Sequence, residues 1–216
     1  MSGVMDFVMD RLGGSGIGAI AEKLGVDEEQ AKGAVETTLG VLSGAMARNA
    51  SDGDGAAKLD AALEKDHDGG IFDDIGGFLG NLASGPGAGI LGHVLGGQQN
   101  DVAQGIAEQS GLSMDKVQSL LVMVAPLLMG ALGKKKRDEG LDASGVADAV
   151  VQEKEQAASK GGLGGLLDMV GGFDGLKDMA GAITGGDGDG GSSKSGGILG
   201  SVSGMLGGLF GKKKGS

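Results

Sequence analysis

The sequence predicts an all-α protein: duplicated helix-turn-helix-like units form one helical domain, and a glycine-rich amphipathic arm follows at the C-terminal end. Three observations predict it. Apolar residues recur at helical spacing through most of the first 160 positions. The stretch Ile20-Ala-Glu-Lys-Leu-Gly-Val-Asp-Glu-Glu-Gln-Ala-Lys-Gly-Ala-Val returns as Ile106-Ala-Glu-Gln-Ser-Gly-Leu-Ser-Met-Asp-Lys-Val-Gln-Ser-Leu-Leu. The offset is 106 − 20 = 86 residues without a gap, and it also places Leu42 on Leu128, Gly44 on Gly130 and Ala45 on Ala131. Finally, 21 of the 49 glycines fall in residues 161–216. Glycine loses more backbone freedom on folding than any other residue, so that segment is not packed like the rest.

These boundaries give an N-terminal amphipathic helix and linker (1–16), the duplicated domain (17–137), an extra helix (138–160) and the arm (161–216). In the first segment Ser2 can cap a helix over 3–13 with Val4, Val8 and Leu12 on one stripe, and Gly13-Gly-Ser-Gly16 breaks it. In the first unit Gly25 ends one helix and Asp27 caps the next, with Gln30 placed as its capping-box partner. Val35, Leu39 and Leu42 then recur at helical spacing. A loop over 49–55 precedes a helix near 56–64, with Leu59, Ala62 and Leu63 inward. Asp66-His-Asp-Gly-Gly70 leads into a helix over 72–82, and Ser84-Gly-Pro-Gly-Ala-Gly89 is a second loop. Ile90, Leu91, Val94 and Leu95 make a short apolar helix. In the second unit Ser113 caps a helix that Pro126 should kink. The helix over 144–158 presents its Gln, Glu and Lys run to solvent.

Composition excludes several classes of function. With no cysteine there are no disulfides, thiolate metal sites or cysteine nucleophiles. A net charge of −11 argues against nucleic acid as a partner. The start, Met1-Ser-Gly-Val-Met-Asp-Phe, carries an acid where a signal peptide wants lysine, so the expectation is a cytoplasmic protein. Residues 117–133 are uncharged and precede Lys134-Lys-Lys-Arg137, which imitates a membrane span with a positive flank. The repeat partner has Glu36, Thr37 and Thr38 where this copy has Val122, Met123 and Val124. Two copies of one unit should share an environment, so a buried core helix is expected.

Ala47-Arg-Asn-Ala50, Asp66-His-Asp-Gly69 with Asp73-Asp-Ile-Gly-Gly-Phe-Leu-Gly80, Gly89-Ile-Leu-Gly-His-Val-Leu-Gly-Gly97 and Ala125-Pro-Leu-Leu-Met-Gly-Ala-Leu-Gly133 occur in that order. Together they resemble the bacterial domain of unknown function family 937, over roughly residues 15–137. The resemblance implies an all-helical fold, carries no activity and designates no catalytic residue.

Two constellations suggest chemistry. Glu64, Asp66, Asp68, Asp73 and Asp74 imitate a shortened calcium loop, with Gly69 at the turn and Ile71 at its apolar position. Position 12 of such a loop should be a bidentate acid and is Ile75. The competing reading is a polar turn whose Asp residues cap the next helix. Both units also imitate a DNA-reading helix-turn-helix, but Asp27, Glu28, Glu29 and Glu36 would repel phosphates. The geometry then serves packing. His67 and His93, the two histidines, have no spacing that demands a zinc site, and His93 reads as a core residue in an apolar helix. Lys134-Lys-Lys-Arg137 and Lys212-Lys-Lys214 are placed to complement helix C-terminal dipoles, or to meet an anionic membrane. No phosphate-loop or nucleophile signature occurs, so no enzyme and no small-molecule substrate are expected.

In the arm, Ile198, Leu199, Val202, Met205, Leu206, Leu209 and Phe210 fall on one helical face opposite Gly and Ser. Small residues let helices approach closely, so the expected function is a self-associating scaffold, a homo-oligomer. The alternative is a peripheral protein laying this face on a membrane surface. Calcium is the one cofactor the sequence suggests.

Overall fold

The computed structural model describes residues 3–51, 53–66, 69–81 and 86–159. All of these lie in the first of two units, Met1–Lys177. The self-association stripe 198–210 lies outside the described residues, as do Ser2, His67, Asp68 and Lys212-Lys-Lys214.

The described residues form eight α-helices and no strand. They are α1 (Val4–Leu24), α2 (Glu28–Asn49), α3 (Gly53–Asp66), α4 (Ile75–Gly80), α5 (Gly87–Leu95), α6 (Gln99–Ser110), α7 (Met114–Glu139) and α8 (Ala143–Ser159). Short 3-10 turns at Gly70–Phe72 and Gly96–Gln98 precede α4 and α6. The expected 72–82 helix is therefore a turn followed by a shorter helix. The polar Asp73-Asp74 pair falls between them, and Asp74 caps α4 by accepting from the Gly77 amide at 2.8 Å.

Two long helices, α2 and α7, carry the core, and their starts coincide at the repeat offset: 28 + 86 = 114. Ala31, Ala34, Val35, Thr38, Leu39, Val41 and Leu42 are buried on α2. The positions 86 residues on, Val117, Leu120, Leu121, Val124, Ala125, Leu127 and Leu128, are buried on α7. Each long helix follows a glycine in the left-handed conformation, Gly25 (φ 61°) and Gly111 (φ 70°). A β-carbon is disfavoured there, which is why glycine ends both preceding helices. The next helices start from extended residues, Asp27 and Ser113. Asp27 accepts from the Gln30 amide at 2.8 Å, whereas Ser113 holds its position without a side-chain cap.

The two helix pairs also hold each other reciprocally. Gln30 Nε2 donates to the Ser110 carbonyl at 3.3 Å, and Lys116 Nζ donates to the Gly25 carbonyl at 3.1 Å. Lys116 is the counterpart of Gln30, since 30 + 86 = 116. Each second helix thus caps the end of the other pair's first helix. Packing follows the same exchange: α1 lies on α7, α6 on α2, and α2 on α7. Such self-complementary contact is the pattern of an isologous dimer. The expected capping box is half formed, because the Gln30 side chain serves this contact instead of returning to Asp27.

α7 is the one described helix long and apolar enough to cross a membrane, and 78% of its apolar window is buried within the fold. It runs as one helix through Pro126. In α1 the expected break narrows to a single kink at Gly13 (φ 50°, ψ −163°), and the helix resumes at once. Residues 3–16 and 138–159 both contribute to the core. Val4, Val8 and Leu12 join the same core as Val146, Val150 and Ala157.

Candidate binding groove

A groove of ≈ 1400 Å³ runs between the end of α2, α3 and α5. Its floor is apolar, with Met46, Leu59, Ile90, Val94 and Met129, and its rim carries Arg48, Asn49, Asp54, Lys58 and His93. Helical spacing creates this arrangement: Ile90, His93 and Val94 share one side of α5, and Leu59 and Ala62 one side of α3. Asn49 Nδ2 donates to the carbonyls of Val94 (2.8 Å) and His93 (3.3 Å), tying the end of α5 to the end of α2. Arg48 Nη1 donates to Gln98 Oε1 at 2.7 Å. The motifs Ala47-Arg-Asn-Ala50 and Gly89–Gly97 therefore meet in space. At the far end of α5, a β-carbon on Gly87 would fall on the Val122 carbonyl oxygen, so only glycine lets α5 lie this close to α7.

The other two motifs meet as well. Gly130 of α7 admits Ile71, whose Cγ2 would stand 2.7 Å from any β-carbon there. Phe72 beside it meets Phe7 of α1 edge to face, with centroids 5.1 Å apart. The 70–80 segment is thus docked on α1 and α7 by side chains at its start.

The calcium constellation is distributed among several jobs. Glu64 Oε1 accepts from Lys136 Nζ at 3.0 Å, and Asp74 caps α4. Asp73 is exposed, while the Asp66 side chain and Asp68 lie outside what is described. Among the described residues no group of three or more His, Asp or Glu is placed to hold a metal ion.

Lys136 is a site the sequence did not disclose. It is 8% exposed and bridges Asp60 (2.5 Å) and Glu64 (3.0 Å), fastening α3 to α7. The hydrogen bond it donates to the Asp60 carboxylate holds its ammonium above the ordinary 10.5, against burial, which pushes it down. Lys134 and Lys135 pair with Asp138 and Glu139, both at 2.9 Å. All three lysines of that run hold carboxylates.

A second residue escaped notice. Glu153 was expected on the solvated face of α8, yet it is 2% exposed. Its carboxylate accepts from the amides of Val4 (2.5 Å) and Met5 (3.0 Å), so it caps α1, whose N-cap residue Gly3 supplies no side chain. A carboxylate suits the positive end of a helix. The clue in the sequence was the spacing of Val146, Ala149, Val150, Glu153 and Ala157, which is one helical face. His93, expected in the core, is exposed at the groove rim instead, where its helix turns from Ile90 toward solvent.

No curated protein and no solved structure matches the chain. The family model described as bacterial protein of unknown function (DUF937) matches residues 6–135. That span holds all but the outer ends of both helix pairs, together with the groove and all four motifs, and the chain belongs to this family.

Proposed function

We propose that the protein is a non-enzymatic scaffold that associates with copies of itself. The observation that carries this reading is the stripe Ile198, Leu199, Val202, Met205, Leu206, Leu209 and Phe210, backed by Gly and Ser. An amphipathic helix without aromatic anchors on its polar side needs an apolar partner to be stable. The polar side chains of the described domain support the reading. Asn49, Asp74, Glu153 and Lys136 hold backbone groups or ion-pair partners, which are architectural tasks rather than catalytic ones.

Light scattering on the full chain and on a chain ending at Lys160 tests the proposal. The shorter chain should be helical and smaller in assembly size. An unchanged oligomer would remove the arm from the account. The alternative, attachment to a membrane surface through the same stripe, predicts that only the full chain floats with vesicles. Calcium enters as a modulator of the 64–74 segment, and identical melting curves in excess calcium and in chelator would exclude it.

A further inference from the structure

We propose that a second groove, between α1 and α2, is the docking site for the chain's own residues 163–173, folded back from the end of α8. This groove has a volume of ≈ 1010 Å³ and an apolar wall of Met5, Met9 and Ile17. Its first argument is where α8 leads. Glu153 of α8 accepts from the Met5 amide at 3.0 Å, and Ala157, one turn later, lines the groove. The helix ends two residues further on, at Ser159. The chain therefore leaves the described domain at the mouth of the groove. Leu163, the first large apolar residue after that point, follows four positions later.

The second argument is fit. Leu163, Leu166, Leu167, Val170 and Phe173 fall at i, i+3, i+4, i+7 and i+10, one stripe of a helix. Such a helix would lay its stripe over about 15 Å, and α1 covers about 18 Å from Met5 to Ile17. Asp168, the single charge within the stretch, falls on the side opposite the stripe, where it would face solvent. Gly13, Gly14 and Gly33 also line the groove, and a β-carbon at any of them would meet no described atom within 4 Å. Helices approach more closely where the facing side chains are small, so these positions leave room for another helix. The rim selects among occupants. Asp6, Glu28, Glu29 and Glu36 stand on it against Lys32 alone. A rim of that sign repels an anionic lipid surface, whereas an apolar peptide preceded by Lys160 suits it.

Peroxide oxidation of the full chain, followed at each methionine by mass spectrometry, tests this. Leu166→Asp with Leu167→Asp should uncover Met9 and raise its oxidation rate several-fold. Met114, half-buried like Met9 but outside the groove, should keep its rate, which also verifies that the variant is folded. Leu209→Asp with Phe210→Asp, on the later stripe, should leave Met9 as in wild type. Cysteine pairs give a second reading, because the chain has no cysteine of its own. Gly33→Cys with Leu166→Cys should close an intrachain disulfide several-fold faster than Gly89→Cys, in the other groove, with Leu166→Cys. None of these readouts measures oligomer size, so the self-association reading stands or falls separately. An unchanged Met9 rate in Leu166→Asp with Leu167→Asp, exposure of Met9 by the later-stripe variant, equal rates for the two cysteine pairs, or a disulfide formed between copies would overturn the proposal.

Discussion

The helix pairs α1–α2 and α6–α7 share one core but fill it with different residues. Their long helices start 86 residues apart and bury the same positions, yet the fillings differ. Where α7 buries Val124 and Met129, α2 buries Thr38 and Ser43, whose hydroxyls have no hydrogen-bond partner among the described residues. Where α7 passes through Pro126, α2 has Gly40, and both residues are buried. The first helix of one pair is capped by Glu153 from α8, and no side chain caps the first helix of the other. The comparison teaches that environment here follows position in the fold, not hydropathy. One copy alone imitates a membrane span, although both serve as the same kind of core helix.

Substitutions at matched positions can break this equivalence. The largest effects belong to Leu42→Ala and Leu128→Ala, both fully buried. Each should lose about 2–5 kcal/mol in denaturant unfolding, with similar values for the two. A several-fold disparity would mean that one pair carries the core alone. Next is Glu153→Ala, which strands two helix-start amides in a buried site and should cost about 1–3 kcal/mol. Hydrogen exchange should then quicken at Val4 and Met5 while the start of α6 is unaffected. That outcome would locate the asymmetry between the pairs in α8.

Thr38→Val installs in α2 the residue that α7 carries at the matching position, and it removes an unpaired buried hydroxyl. A gain of about 1 kcal/mol is expected from calorimetry. A loss would show that the hydroxyl has a use in the core. The smallest effect concerns Lys136, whose pKa is raised by Asp60 and Glu64. A raised folded-state pKa contributes stability that is complete below the unfolded value of 10.5 and is lost as pH climbs through the folded value. Unfolding followed upward from pH 9 should show this loss, and Lys136→Met should flatten it.

Much of this architecture is legible because its signals are local. Glycine before a cap residue marks both turns, and apolar spacing marks α2, α5 and α7. What escaped depends on partners distant in sequence. Glu153 looks solvated until α1 arrives with two unbonded amides, 149 and 148 positions away. Gln30 looks like a capping-box residue because Asp27 is three positions back, but the Ser110 carbonyl is nearer to its need. Lys136 sits in a run that reads as dipole compensation, and only the fold brings Asp60 and Glu64 beside it. The groove was hidden for the same reason. Its motifs were recognisable singly, but their meeting is a property of the packing of α2, α3 and α5.

The equivalence of the two pairs is tested most directly at the two left-handed glycines. A β-carbon on Gly25 would meet nothing within 4 Å, and one on Gly111 only Gln30 Nε2 at 3.7 Å. Backbone conformation is then the single cost of Gly25→Ala and Gly111→Ala. Denaturant unfolding should show each losing about 1–2 kcal/mol with an unchanged denaturant slope. A loss in one variant and none in the other would contradict the account of two like-built units sharing one core.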